Sequence, residues 1–238
     1  MIVPAFVLSL INSACFLSAI ERGRNLFAVG HLALGYLSGR GSAKLLAKKV
    51  NVPLILALSI VPDTDILFRQ FIEHRGLTHS IIVLFAVFLP FIAIYRMEAI
   101  PYFLAIVSHP LIGDFLVGGP IKLLWPLSMQ GFGLGLPMAG SADTVLEWST
   151  FLLSIIVMLK IMDIGKLFQP RLSNLLLSIP VFTLILPTIL SFPLGVPVWL
   201  EPPHLIFMLL FAAALMVALL RLFKNAFRPR IVCKQGDP

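Results

Sequence analysis

Long apolar segments alternate with short polar stretches along this chain, and the pattern predicts a bundle of membrane-embedded helices. The candidate membrane spans are residues 2–20, 26–39, 50–62, 77–95, 99–118, 147–162, 172–191 and 203–222. Several are shorter than the roughly 20 residues of a full crossing. The segments 26–39 and 50–62 fit half-crossings that pack against neighbouring helices. The expected fold is therefore an all-α polytopic transmembrane bundle of about seven or eight membrane segments.

Composition supports a membrane protein. Hydrophobic residues make up 59% of the 238 positions and charged residues 12%, whereas a soluble domain carries about 25% charged residues. The net charge of +7 comes from basic residues in short runs between apolar segments. These runs indicate topology signals and contact with anionic lipid instead of nucleic-acid binding. The two cysteines, Cys15 and Cys233, are too few for a cysteine zinc site or a disulfide scaffold.

The distribution of lysine and arginine predicts the orientation of the bundle. With the N-terminus in the cytoplasm, 13 of the 18 basic residues fall on the cytoplasmic side, as the positive-inside rule requires. The outer side then holds Arg22, Arg24, Arg69, Arg75 and Lys122. The expected location is the plasma membrane, which the chain crosses several times.

Polar residues concentrate in the stretch 62–80, which holds Asp63, Asp65, His74 and His79. The predicted topology places this stretch at the outer membrane surface. Other polar residues inside apolar segments reach the same depth, and these are His31, His109 and Asp114. The seven side chains are therefore expected to converge on one site just below the outer surface.

The residue types of this cluster indicate metal chemistry. Carboxylates and imidazoles without thiols are the ligand set of Zn²⁺, Mn²⁺ or Fe, and seven such residues are enough for one or two ions. A bound metal that acidifies water supports hydrolysis. Arg75, beside His74, can bind two phosphate oxygens at once, which favours a phosphate-like substrate.

Each of these residues also has a purely structural interpretation. Asp63 and Asp65 fit solvated loop residues after a helix, and His79 fits an interfacial histidine. His109 and Asp114 lie inside an apolar segment, where ionisable residues usually serve function. Ionisable residues expected to have structural roles at helix starts are Asp143, Glu147 and His204.

Four motifs together resemble a known family. They are His31-x-x-x-Gly35-Tyr36, Pro62-Asp-x-Asp65, His74-Arg-Gly-x-Thr-His79-Ser80 and Ser108-His109…Asp114. Over roughly residues 25–128, the chain resembles the YdjM-like family of membrane-bound metal-dependent hydrolases. That family is distantly similar to zinc-dependent phospholipase C and related single-strand nucleases, helical enzymes whose His/Asp metal sites act on phosphoesters. The resemblance implies phosphoester hydrolysis.

Two features depart from the family pattern. An apolar segment precedes the first histidine, so residues 1–24 are expected to form an extra helix. His109 and Asp114 are five residues apart instead of four, and on a regular helix five residues turn about 140° past one full turn. Pro110 and Gly113 are expected to bend or widen this turn enough to bring the two side chains together.

The predicted domain order places the chemistry in the first half of the chain. The extra helix at 1–24 is followed by a hydrolase-like membrane domain at 25–146. Accessory transmembrane helices at 147–222 and a basic cytoplasmic tail at 223–238 complete the prediction.

The expected function is metal-dependent hydrolysis of a phosphoester in a lipid or lipid-linked molecule, at the extracytoplasmic face of the membrane. Zinc is the expected ion, with manganese or iron as alternatives. The expected metal ligands are His31, Asp65, His79, His109 and Asp114. Asp63 would bridge two metals or act as general base, His74 would ligate or protonate the leaving group, and Arg75 would orient the substrate.

Two other functions fit the same residues. A transporter or metal carrier would use the His/Asp cluster as an ion site, since buried ionisable residues also mark ion pathways. A non-catalytic scaffold would hold a coordinatively closed structural metal, whereas a catalytic site keeps an exchangeable water.

Overall fold

The computed structural model describes residues 27–68, 70–192 and 195–226. Within these residues the protein is all-α, as predicted, with two isolated β-bridges and no strand. The predicted helix at 1–24 and all but the first residues of the predicted tail lie outside the described residues.

The described chain forms eight α-helices joined by short 3₁₀ turns and loops. They are α1 (Ala28–Leu45), α2 (Val52–Ile60), α3 (Ile81–Tyr95), α4 (Ile100–Ser108), α5 (Ser141–Lys160), α6 (Asp163–Leu167), α7 (Ser178–Thr188) and α8 (Glu201–Ala226). Helix α5 begins six residues before the predicted span at 147–162. Its first turn is closed by Asp143, whose Oδ2 accepts a hydrogen bond from the Ala139 backbone at 2.6 Å.

Three stretches of the described chain are long and apolar enough to cross a membrane. They are Ile81–Glu98, Ser141–Lys160 and Val198–Lys224, which correspond to α3 with its following turn, α5, and α8 with its preceding turn. Helices α2 and α4 have nine residues each, or about 14 Å, less than half of a bilayer core of about 30 Å. Seven or eight full crossings are therefore not confirmed.

Helix α1 lies at the centre of the bundle and packs most extensively against α4, α2 and α5. Its Leu32 and Tyr36 side chains are fully buried in one apolar cluster with Ile55 of α2, Phe151 of α5 and Phe207 of α8. This packing fixes the position of α1 relative to the helices that carry the other polar residues of interest.

One buried carboxylate connects α1 to α6. The fully buried Asp163 side chain accepts hydrogen bonds from the Tyr36 hydroxyl at 3.0 Å and from Lys166 Nζ at 2.6 Å. Arg40 Nε lies 2.9 Å from the same carboxylate. The buried charge of Asp163 is satisfied because it has several donors. Asp163 therefore connects α6 to the end of α1 opposite His31.

Helices α1 and α2 touch at a glycine. A Cβ atom added to Gly35 would lie 2.0 Å from Ser59 Cβ, so only glycine permits this approach. The backbone oxygen of Ser59 in turn accepts a hydrogen bond from His109 Nδ1 at 2.8 Å. The glycine contact therefore positions a group that holds one of the candidate ligands.

Gly35→Ala should destabilise the protein by about 1–3 kcal/mol, because the added methyl group overpacks the α1–α2 contact. The midpoint of thermal unfolding in detergent micelles measures this. Gly41→Ala is the matched control, since Gly41 lies in the same helix with no atom within 4 Å of the added Cβ. The control should be stabilised by up to about 1 kcal/mol. Equal unfolding midpoints for the two variants would contradict the tight α1–α2 contact.

Candidate metal centre

Ends of several helices bring the polar residues together. His31 lies in the first turn of α1, and Asp63 and Asp65 lie on a 3₁₀ helix, Val61–Phe68, that continues α2. His79 ends a short 3₁₀ turn, and the next residue, Ser80, caps α3 by accepting a hydrogen bond from the Val83 backbone. The side chains therefore meet where two helices begin and one ends.

His109 and Asp114 come together through a π-helix. Helix α4 continues past Ser108 as a π-helical turn, His109–Asp114, which contains Pro110 and Gly113. A π-helix pairs residues five apart instead of four, so it places both side chains on one face. His109 Nε2 lies 3.4 Å from Asp114 Oδ2. The widened turn expected from Pro110 and Gly113 is thus present as a π-helix.

Four side chains form a group that could hold one metal ion: Asp63, His79, His109 and Asp114, called the ligand group below. His79 Nε2 lies 3.0 Å from Asp114 Oδ2 and 3.6 Å from Asp63 Oδ1. His109 Nε2 lies 3.4 Å and 3.3 Å from the same two oxygens. Ligands held about 2.0–2.1 Å from a tetrahedral ion are about 3.3–3.4 Å apart. The spacing matches a tetrahedral site.

The facing atoms of the ligand group are buried without hydrogen bonds among the described residues. They are Asp63 Oδ1, His79 Nε2, His109 Nε2 and Asp114 Oδ2. Nearly all buried polar atoms in proteins have a partner, so four such atoms around one point indicate the place of a cation. The donor set and its unpaired atoms therefore fit a metal ion.

His31 lies against this group without belonging to it. Its ring stacks on the His109 ring with centroids 3.6 Å apart and planes 11° apart. His31 Nε2 is 3.7 Å from Asp114 Oδ1, and neither ring nitrogen has a hydrogen-bond partner among the residues described. This histidine therefore lines the ligand group beside Asp114 and His109.

Hydrogen bonds behind the histidines fix which ring nitrogen faces the ligand group. His109 Nδ1 donates to the Ser59 carbonyl at 2.8 Å. Thr78 Oγ1 donates to Asp65 Oδ2 at 2.6 Å and lies 2.9 Å from His79 Nδ1, so His79 Nδ1 donates to Thr78. Both rings then present a bare Nε2 lone pair toward the ligand group.

Asp65 and His74 form a second possible metal-holding group with His79. Asp65 Oδ1 is 2.7 Å from His74 Nδ1, and Oδ2 accepts the short bond from Thr78. These two separations are those of hydrogen bonds, whereas His79 Nδ1 lies 3.4 Å from Asp65 Oδ2, the spacing of ligands on one tetrahedral ion. In this geometry the Asp65 carboxylate orients the surrounding side chains.

Arg75 contacts the site through Asp114. Its Nη2 donates to Asp114 Oδ1 at 2.8 Å and to the Val117 carbonyl at 3.2 Å, and its Nη1 donates to the Gly119 carbonyl. The residue has a positive φ of 64°, which turns the chain so that the guanidinium reaches these acceptors. Substrate orientation by Arg75 stays a prediction, and the contacts present hold Asp114.

Electrostatics keep the aspartates of the 3₁₀ helix ionised. Burial alone would raise the pKa of the Asp63 carboxyl, but the neighbouring His109 and His79 imidazoles hold that pKa well below its usual value. Burial would raise the pKa of Asp65 in the same way, but the contacts of Asp65 with His74 and His79 lower that pKa by more than burial raises it. Both groups are carboxylates, the form that binds a cation.

The site is almost entirely buried. The side chains of His31, Asp65, His79, His109 and Asp114 are completely buried. Asp63 and His74 keep 10% and 11% of their side chains exposed. These two residues are therefore the most exposed of the seven.

Sequence reasoning missed the full burial of four other ionisable side chains: Asp143, Glu147, Asp163 and His204. Because α5 starts at Ser141, Asp143 and Glu147 lie inside the helix instead of before it. Neither carboxyl oxygen of Glu147 has a hydrogen-bond partner among the described residues. The signal was the spacing of two carboxylates four residues apart along an apolar run.

A family comparison agrees with this arrangement. The family model described as YdjM inner membrane protein matches residues 27–191, a range that includes the whole ligand group and continues through α7. Comparison with curated proteins and with solved structures finds no match. The chain belongs to the YdjM inner membrane protein family.

Proposed function

We propose that this protein is a membrane-bound metal-dependent hydrolase that cleaves a phosphoester in a lipid or lipid-linked molecule. The observation that carries the proposal is the set of four nitrogen–oxygen separations between the unpaired ligand atoms, 3.0 to 3.6 Å, which suits a tetrahedral ion. Partial exposure of Asp63 and His74 gives a substrate access to that ion. An accessible metal site with oxygen and nitrogen ligands is typical of hydrolytic enzymes.

The bound ion in this proposal is zinc, held by the ligand group with His31 beside it. Two imidazoles and two carboxylates in tetrahedral spacing favour Zn²⁺, and the same donors accept Mn²⁺ or Fe. One ion is sufficient, because the hydrogen bonds of Asp65 make it a positioning residue for His79. This assignment differs from the role of metal ligand that the sequence predicts for Asp65.

Side chains around the ion have the remaining catalytic and positioning roles. When bound, the ion lowers the pKa of a coordinated water and polarises a phosphoryl oxygen. Asp63, ionised and partly exposed, would accept at its second carboxylate oxygen a proton from the water that attacks phosphorus. As the P–O bond to the leaving group breaks, His74, held through Nδ1–H by Asp65 and carrying a second proton on Nε2, would donate that second proton to the leaving oxygen. Arg75 keeps Asp114 in place during these steps.

The proposed site faces the extracytoplasmic side of a protein that crosses the membrane several times. The excess of lysine and arginine on the other side supports this orientation. Three helices of crossing length and the inner-membrane family support an integral membrane protein. A site at the ends of short helices suits an amphiphile whose head group lies at the membrane interface.

The nearly complete burial of the cluster favours a second candidate, an ion carrier. Five of the seven side chains have no exposed surface, and buried ionisable residues also mark ion pathways. Purified protein in proteoliposomes separates the functions: zinc flux without phosphoester hydrolysis supports the carrier, and hydrolysis without flux supports the enzyme.

His79→Gln should lose bound zinc and phosphoester hydrolysis together, because it removes the ring nitrogen nearest Asp114. Elemental analysis and a panel of phosphomonoesters and phosphodiesters measure the two properties. His204→Gln is the matched control, since His204 is equally buried, its Nδ1 donates to the Leu200 carbonyl, and it lies outside the ligand group. Full zinc content in His79→Gln would overturn the assignment.

Asp65→Asn should weaken zinc binding by about 10- to 100-fold without abolishing it, as loss of an orienting carboxylate does. Titration of chelator-treated protein with zinc measures the dissociation constant. Asp63→Asn, which changes a member of the ligand group, should weaken binding more strongly. If Asp65→Asn removed zinc as completely as Asp63→Asn, Asp65 would be a ligand as the sequence predicts.

Arg75→Gln should destabilise the metal-free protein by about 3–5 kcal/mol, because it leaves Asp114 as an uncompensated buried charge. Unfolding in detergent with a chelator present measures this cost. Lys122→Gln is the control: Lys122 pairs with Glu73 at 2.6 Å on the surface, where such pairs contribute about 0–1 kcal/mol. A similar small loss in both variants would contradict the structural role of Arg75.

A further inference from the structure

An apolar cavity begins beside the candidate metal centre. Its volume is about 340 Å³, within the range of about 300–1,000 Å³ for ligand sites. The lining residues are Ile66, Leu67, Phe68, Gln70, Phe71 and Phe192. None of them is ionisable and five are apolar, so the cavity suits a hydrocarbon group.

The cavity and the ligand group share one structural element. Ile66, Leu67 and Phe68 belong to the same 3₁₀ helix as Asp63 and Asp65. A 3₁₀ helix rises about 2.0 Å per residue, so these wall residues begin about 2–6 Å beyond Asp65 along the helix. A molecule that contacts both the cavity and the ligand group must have its apolar part directly next to its polar part.

The edge of the cavity is open and apolar. Phe71 is 85% exposed, and Leu67 and Phe68 are about half exposed. Such a large apolar surface marks contact with lipid in a membrane protein. Phe192, which follows α7 in the chain, forms another part of the wall, so the later helices contribute to this cavity.

We infer that the cavity binds a hydrocarbon chain of the substrate, which is therefore a membrane lipid with a phosphoester close to its acyl or prenyl chain. The inference rests on the proposed function for the chemistry of the head group. Holding the chain fixes the distance between the phosphoester and the ligand group, and such positioning accelerates a reaction. A water-soluble phosphoester has no long chain, so the cavity does not hold it at this distance.

Photo-crosslinking tests chain binding without catalysis. The full-length protein is placed in lipid nanodiscs that contain a phosphatidic acid with a diazirine near the end of one acyl chain, with a chelator present. The labelled residues are then mapped by mass spectrometry. Labelling of Leu67, Phe68 and Phe71 above the level on the lipid-facing side of α3 is the expected result. Uniform labelling of all lipid-facing surfaces would overturn the inference.

Phe192→Gln should reduce labelling of the cavity by about fivefold, since it replaces an apolar wall with an amide. Leu190→Gln is the matched control, because Leu190 is exposed in the same segment and does not line the cavity. Neither Phe192 nor Leu190 belongs to the ligand group, so zinc content should stay unchanged in both variants. Equal labelling of the two variants would contradict the assignment of Phe192 to the chain site.

Hydrolysis assays separate this inference from the proposed function. With zinc bound, Phe192→Gln should raise KM for long-chain phosphatidic acid more than KM for a short, water-soluble phosphoester, and Leu190→Gln should change neither. Cavity labelling without hydrolysis of either ester would overturn the proposed function and support the chain site. Hydrolysis of both esters with no preference for the long chain, and no cavity labelling, would overturn the chain site alone.

Discussion

The bundle is organised around one constraint, which is that several carboxylate and imidazole acceptors are buried around the same point. The two imidazole nitrogens lie 3.0 to 3.6 Å from the two carboxylate oxygens, without hydrogen bonds among the described residues. The carboxylates repel each other and all four atoms lose hydration on burial, so the arrangement needs positive charge, which a bound cation supplies. Separate helix ends and a π-helical turn all contribute to this single point.

The packing of the helices and the geometry of the site are inseparable. Gly35 allows α1 to approach α2, and the Ser59 carbonyl at this contact receives the Nδ1 proton of His109. That hydrogen bond leaves Nε2 of His109 bare. At the other end of α1, Asp163 binds Tyr36 and fixes the helix along its axis. Displacement of α1 would therefore move both His31 and the partner of His109.

Sequence patterns predicted the chemistry of the site better than its details. The scarcity of polar residues in an apolar chain singled out Asp63, His79, His109 and Asp114, because burial of such groups needs a reason. Hydrophobicity alone does not distinguish a membrane crossing from a short buried helix, so the segment 50–62, which contains α2, fitted either a span or a half-crossing. The hydrogen bonds of Asp65 to His74 and Thr78 are contacts that residue spacing does not reveal.

Glu147 is a second residue whose position the hydrophobic pattern does not predict. The start of α5 depends on Asp143 closing its first turn, a contact with Ala139 that no hydrophobic pattern reports. Once the helix starts there, Glu147 falls on its buried face. Helix α5 packs extensively against α1, so a helix predicted as accessory supports the one that carries His31.

Charge balance suits such a site to the proposed anionic phosphoester. Three carboxylates, Asp63, Asp65 and Asp114, would be balanced by a divalent ion together with the guanidinium of Arg75. The first turn of α1 carries His31, and α3 begins just after His79. Each helix N-terminus adds about half a positive charge, so the occupied site would be positive where its helices begin. In the proposed function this local potential attracts the phosphate group, while the apolar wall that starts at Ile66 accepts the chain attached to it.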